Sequence, residues 1–393
     1  MMISLAYLML FGMIGTVIFK AIKLPGLIGM LIVGIMIGPQ GFGLLQPELL
    51  AISEDLRKIA LIIILLRAGL GLNLSAVKSV GKVAGTMSVI PVMFEGIVIL
   101  LLAMWLLDFS FIQGGMLGFV IAAVSPAVIV PSMIRLKQQE VGKKKNIPTL
   151  ILASASIDDV IAITIFSTFL SAAVTQSDLD VFSIFSLPIS ILLGILLGAF
   201  IGFLFVWLFR QFHIRDTKKI LLILSISILF VSFTEMIEEL IYIASLLGVM
   251  TIGLVFVEKR NAVAKRLAIK FDKIWIFAEL FLFVLVGAAV DISIALEAGL
   301  IGLFLIFMGL TARFLGIYIA TFRTTYVLKE KLFMTIAFTP KATVQAAMGS
   351  IPLSLGIMHG EIILAISVLA ILITAPLGSS LIQLSYKPLL NES

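Results

Sequence analysis

The chain has 393 residues, of which 61% are hydrophobic and 13% charged, with 28 basic residues against 22 acidic ones. Soluble domains carry about 25% charged residues, so this composition excludes a soluble globular protein and points to an all-α polytopic membrane protein. The chain has no cysteine, which excludes disulfides and thiolate chemistry, and its apolar runs are continuous rather than alternating, which argues against a β-barrel.

Thirteen transmembrane helices are expected in chain order, near residues 4–20, 25–43, 57–73, 83–107, 114–134, 148–174, 183–209, 219–234, 241–257, 274–290, 298–321, 332–351 and 362–384. The first, within MMISLAYLMLFGMIGTVIFKAI, has no basic region before it and no small-residue cleavage site after it, so it reads as a retained span. The connecting loops alternate in charge. Those after spans 1, 3, 5, 7, 9 and 11, together with Lys387, hold 23 of the 28 basic residues, from Lys20 and Lys23 to Arg323 and Lys331. The opposite loops hold only Arg57 and Lys58, beside the acids Asp108, Asp178, Asp180, Glu235, Glu238, Glu239, Asp291, Glu297 and Glu361. Basic loops face the cytoplasm, which predicts an outside N-terminus and an inside C-terminus. The closing segment YKPLLNES is expected to be a tail too short to fold.

Seven charges remain inside the spans: Arg67, Glu95, Asp158, Asp159, Glu279, Arg313 and Lys341. Arg67 and Glu279 lie toward span ends, where snorkelling or a local partner accounts for them. The other five lie near mid-span. A carboxylate at the bilayer centre costs at least about 2.5–3.5 kcal/mol, so Asp158 and Asp159 must meet water, a cation or a proton path. Neighbours on a helix point about 100° apart, so only one of the two can face a given spot. Glu95 and Arg313 have opposite sign and are expected to form a structural charge pair, because leaving either alone would cost more than burying both. In that case both aspartates are free for ions.

Span 5 contains AVSPAVIV (123–130) and span 12 contains AFTPKATV (337–344), each with a hydroxyl residue before a mid-span proline. The two spans run in opposite directions, offset by 214 residues, and the same offset carries spans 4–6 onto spans 11–13. Inverted repeats with interrupted helices at matching positions point to the binding site of a secondary transporter. Pro126 and Pro340 are therefore expected to mark two discontinuous helices that cross at the midplane, with Lys341 beside the crossing. Lys341 would either neutralise a helix C-terminus there or contact an aspartate. One carboxylate cannot satisfy a dehydrated cation. Ser125, Thr343 and backbone carbonyls at the breaks are the nearest neutral oxygens, of the kind hard cations take.

Four stretches carry a resemblance: LRKIALIIILLRAGLGLNL (56–74), AAVSPAVIVPSMI (122–134), SIDDVIAITIF (156–166) and PKATVQAAMG (340–349). With them the chain resembles the cation/proton antiporter superfamily, and within it the NHA-type sodium/proton antiporters. The resemblance implies a homodimer in a lipid bilayer, in a bacterial cytoplasmic (inner) membrane, with elevator-like alternating access and no cofactor. It implies scaffold and dimerisation helices over 1–75 and 219–292, transport-core helices over 82–174 and 298–386, and a linker helix over 183–209. It makes Asp159 the main Na⁺-, Li⁺- and proton-carrying carboxylate and Asp158 its partner. Relatives with two aspartates carry a lysine where this chain has Arg313. An arginine stays protonated and cannot carry a proton.

These readings predict exchange of Na⁺ or Li⁺ for H⁺, the two competing for the aspartate pair; K⁺/H⁺ exchange on the same scaffold is the alternative. A symporter of organic anions is disfavoured because buried aspartates would repel the substrate. An intramembrane aspartyl protease needs two carboxylates sharing one proton, and adjacent residues on one helix diverge too far for that.

Overall fold

The computed structural model describes residues 1–22, 24–71, 74–142, 144–174, 181–237, 243–291, 293–294 and 299–390. Lys23, Asp178, Asp180, Glu238, Glu239 and Glu297 of the charge alternation lie outside them. Among the described residues there are helices and no strands. In chain order the helices are α1 (Met2–Ala21), α2 (Gly26–Ile37), α3 (Pro47–Ala51), α4 (Ser53–Gly71), α5 (Leu74–Leu106), α6 (Phe111–Ala122), α7 (Pro126–Gln138), α8 (Ile147–Val174) and α9 (Val181–Gln211). They continue with α10 (Asp216–Met236), α11 (Ser245–Lys259), α12 (Asn261–Ala288), α13 (Gly299–Ala320), α14 (Leu328–Ala337), α15 (Thr343–Met348), α16 (Ile351–Ser354) and α17 (Gly360–Leu390).

Seven segments among the described residues are long and apolar enough to cross a membrane: Met2–Ala21, Gly81–Leu106, Ile147–Val174, Leu192–Gln211, Asp216–Met236, Gly299–Ala320 and Gly360–Leu390. The protein is an integral membrane protein. Its helices bear exposed leucine, isoleucine, phenylalanine and methionine side chains, such as Leu10, Met13, Phe200, Leu300 and Phe307. That pattern suits lipid as the solvent, where every backbone polar group must be satisfied within the protein.

The contacts divide the chain into two compact units. One comprises residues 55–74 and 170–282. In it α9 runs along α11, and a Cβ on Gly198 would collide with the backbone of Gly248. Arg67, placed near a span end by the sequence, pairs there with Asp272.

The other unit comprises residues 1–54, 75–169 and 283–393 and contains all five mid-span charges. Its core joins Met87 of α5, Ile129 and Met133 of α7, Leu150 and Ile151 of α8, Ile317 of α13, Phe333 and Met334 of α14, and Ile382 and Leu390 of α17. Of the tail expected at the C-terminus, residues 386–390 are instead the end of α17, because Leu390 is buried and Tyr386 and Leu389 pack on this core. Helix α5 kinks at Gly81 (φ 57°, ψ −141°), a conformation open to glycine.

Spans 5 and 12 are both broken. The first is α6, an extended stretch at 123–125, then α7; the second is α14, a gap over 338–342, then α15 and α16. Local chemistry accounts for the ends. Ser110 and Gln113 form a capping box that starts α6, with Ser110 Oγ accepting from Gln113 N at 3.2 Å and Gln113 Oε1 accepting from Ser110 N at 2.9 Å. Pro126 has no N–H and biases Ser125 out of the helical region, to φ −101°, ψ 106°. At Pro91 and Pro376, by contrast, the helix runs on through the proline.

The second break is seated against α17 at Gly378. A Cβ there would lie 2.8 Å from Pro340 Cδ and 3.1 Å from Pro340 N. The ring is rigid, so a side chain at 378 must displace the break. Gly378→Val is expected to cost about 1–3 kcal/mol, as overpacking does, and thermal unfolding of the purified protein in detergent checks this against wild type.

Candidate ion-binding site

The two breaks touch. Ser125 N donates to Pro340 O at 2.8 Å, so the crossing is held by one backbone hydrogen bond. Each break also gives a backbone N–H to a neighbouring helix. Val124 N donates to Asp158 Oδ2 of α8 at 3.2 Å, and Lys341 N donates to Thr374 Oγ1 of α17 at 2.9 Å. Unwound backbone would otherwise leave these donors unsatisfied in a dry interior.

Helix α6 ends at Ala122, and the last carbonyls of a helix have no partner within it. Here side chains supply the partners. Gln345 Nε2 lies 2.8 Å from Val120 O, 3.3 Å from Ile121 O and 2.8 Å from Ala123 O. Lys341 Nζ donates to Ala122 O at 3.1 Å, and Arg313 Nη2 donates to the same oxygen. Positive charge at a helix C-terminus is favourable, so the role of Lys341 at a helix end, one of the two the sequence left open, has a direct geometric counterpart.

The charges form one network. Arg313 Nε pairs with Glu95 Oε2, and Arg313 Nη1 with Asp158 Oδ1 at 3.0 Å. Lys341 Nζ also pairs with Glu95 Oε2, at 2.8 Å. Glu95, Asp158, Arg313 and Lys341 are all 0% exposed. The expectation that a Glu95–Arg313 pair would leave both aspartates free is corrected here. A guanidinium has five N–H donors on a planar fork, and Arg313 uses three faces of it at once, so Asp158 is engaged as well. Gly309, the repeat counterpart of Glu95, lies against it: a Cβ at 309 would be 3.3 Å from Glu95 Cγ.

Asp159 differs from its neighbour. It is half-buried, and its Oδ1 is buried with no hydrogen-bond partner. The side-chain oxygen of Ser125, also fully buried, has none either. Thr343 opens α15 just past the second break and is buried. Pro126 begins α7, and Pro340 carries the carbonyl that bonds Ser125. Sequence reasoning missed Gln345 and Thr374. The signal for Gln345 was available, since it is an amide inside the apolar stretch ATVQAAM.

Residues 6–386 match the model of the family described as sodium/hydrogen exchanger, transmembrane. The chain belongs to the sodium/hydrogen exchanger family. Within that family it is 36% identical over 358 residues to mouse sodium/hydrogen exchanger 9B2, covering 87% of this chain and 64% of the relative. It is 35% identical over 381 residues to human sodium/hydrogen exchanger 9B2, covering 92% of this chain and 69% of the relative. The chain thus spans about two thirds of the length of these relatives. Its fold is similar to that of the sodium proton antiporter MjNhaP1 from Methanocaldococcus jannaschii, with a TM-score of 0.85 over 99% of both chains at 20% identity. The exchanger family accords with the resemblance to NHA-type cation/proton antiporters.

Removing one partner of a buried charge pair costs about 3–5 kcal/mol. Arg313→Gln is expected to cost more than Glu95→Gln, because it strips a partner from Glu95, Asp158 and Ala122 O, whereas without the Glu95 carboxylate Arg313 keeps Asp158 and Lys341 keeps Ala122 O. A double-mutant cycle on thermal unfolding should show a coupling of about 1–3 kcal/mol between positions 95 and 313, while additive losses would show that the two do not interact.

Proposed function

We propose that this protein is a secondary active antiporter that exchanges Na⁺ or Li⁺ for H⁺, with Asp159 as the carboxylate for which cation and proton compete. The observation that carries the reading is the asymmetry of the aspartates. Asp158 is bonded to Arg313 and Val124 N, whereas Asp159 Oδ1 has no partner in a network where most polar groups are paired. A carboxylate oxygen binds either a proton or a hard cation, and occupation by one excludes the other.

Charge balance supports the same reading. Glu95, Asp158 and Asp159 face Arg313 and Lys341. If all are ionised, one negative charge remains, which a single Na⁺ or a single proton neutralises. With Arg313 protonated throughout and Lys341 keeping its proton, this arrangement exchanges one cation for one proton with no net charge moved. The names of the relatives and of the structural neighbour all specify sodium, which favours Na⁺ over K⁺.

The finer picture belongs to the same proposal. Thirteen spans, with the N-terminus outside, give the basic loops a cytoplasmic side. Helices over 82–174 and 298–386 form a mobile core that carries the site across the membrane, against scaffold helices over 1–75 and 219–292 in a homodimer, with 183–209 as linker. Ser125 and Thr343 contribute neutral oxygens to the cation, and Asp158 positions the break through Val124.

Proteoliposomes with an imposed pH gradient, given Na⁺, Li⁺ or K⁺ in turn, test this. Wild type should respond to Na⁺ and Li⁺, and Asp159→Asn should lose exchange while keeping its folded yield. Normal Na⁺/H⁺ exchange by Asp159→Asn would overturn the reading. In the same vesicles an imposed membrane potential should leave the initial rate unchanged, and a rate that follows the potential would contradict one-for-one exchange. Ser125→Ala and Thr343→Val should raise the apparent KM for Na⁺ more than they lower turnover, as for lost ground-state binding.

A further inference from the structure

The two ends of the Gln345 amide meet different surroundings at the crossing. The side chain is 0% exposed. The three atoms near its Nε2 are the carbonyl oxygens of Val120, Ile121 and Ala123, at 2.8, 3.3 and 2.8 Å. All three are acceptors only, so the NH₂ end must face them and the amide cannot be turned round. The other end, Oε1, is buried and accepts no hydrogen bond.

Orphaned buried polar atoms are few in native proteins, and each calls for an explanation. Four of them belong to residues of this one network: Gln345 Oε1, Ser125 Oγ, Asp159 Oδ1 and Glu95 Oε1. The chain of bonds linking the first three residues is short. Gln345 holds Ala123 O, Val124 N holds Asp158, Asp158 precedes Asp159, and Ser125 follows Val124. All four atoms are oxygens, and an amide oxygen is a ligand that hard cations accept beside carboxylates and hydroxyls.

We propose that Gln345 is a ligand of the transported cation through Oε1, and that its anchored Nε2 fixes that oxygen in place. The proposal deepens the antiport reading and rests on it. The same amide keeps the carbonyls of Val120, Ile121 and Ala123 engaged. The backbone carbonyls at the end of α6, among the oxygens the sequence offers a cation, already accept hydrogen bonds from protein donors. A side-chain oxygen held rigidly by three carbonyls costs little ordering when the cation arrives.

The test uses purified full-length protein in two measurements: Na⁺ and Li⁺ dependence of exchange in proteoliposomes, and the rise in Tm that Na⁺ produces in detergent. Wild type, Asp159→Asn, Gln345→Leu and Gln345→Asn are compared. Gln345→Leu should raise the apparent KM for Na⁺ and Li⁺ by about tenfold, equivalent to about 1.4 kcal/mol, with a smaller loss of maximal rate, and should shrink the Na⁺-dependent rise in Tm. Gln345→Asn keeps the amide but shortens its reach. It gives the same two readouts if the leucine variant fails to fold, with a KM rise expected again. A wild-type KM and a wild-type Na⁺ response of Tm, in whichever of the two variants folds, would overturn the proposal and leave Gln345 as a clamp on α6. If instead Asp159→Asn exchanges Na⁺ normally, the antiport reading itself fails, and this inference fails with it.

Discussion

The crossing depends on one guanidinium. Arg313 bonds Glu95 of α5, Asp158 of α8 and the carbonyl of Ala122 at the end of α6, so three helices of the unit meet on a single side chain of α13. Taking such charges out of water carries a penalty of several kcal/mol per ion, offset only when geometry is good and the remaining donors are used. Arginine suits this position because its planar fork presents several donors in fixed directions, which the point charge of a lysine does not. Lys341 then adds a second cation on Glu95 and Ala122 O. The arrangement satisfies Glu95 Oε2 and both oxygens of Asp158, and it is this saturation that leaves Asp159 distinct.

The two breaks are satisfied in parallel ways. Each hands a backbone N–H to a neighbouring helix, at Asp158 of α8 in one case and Thr374 of α17 in the other. The acceptor is a carboxylate at one break and a neutral hydroxyl at the other, so the chemistry of the two is not the same.

Much of this was legible in the sequence, for stated reasons. Charges inside apolar runs are costly enough that Asp158 and Asp159 had to meet water, a cation or a proton path, and that Glu95 and Arg313 had to meet each other. The breaks were legible because Ser125–Pro126 and Thr339–Pro340 match across the repeat offset. Proline alone would have misled, since the helix continues through Pro91 and Pro376. Two things were hidden. Pairing was read as one partner per charge, and nothing in spacing alone reveals that Arg313 reaches two carboxylates. The needs of backbone carbonyls at a helix end have no residue letter of their own, so Gln345, which serves three of them, passed as an ordinary span residue. The end of α17 was misread for a similar reason: its stability comes from Leu390 packing on a distant core, not from local pattern.

The central claim is that one carboxylate, Asp159, holds either a cation or a proton and never both. Isothermal titration of Na⁺ into the purified protein, repeated in buffers of different ionisation enthalpy at a pH where Asp159 is protonated, counts the protons released on binding. The account predicts about one proton released per Na⁺ bound, since both occupants neutralise the same single charge. Na⁺ binding at the same pH with no proton released would contradict it.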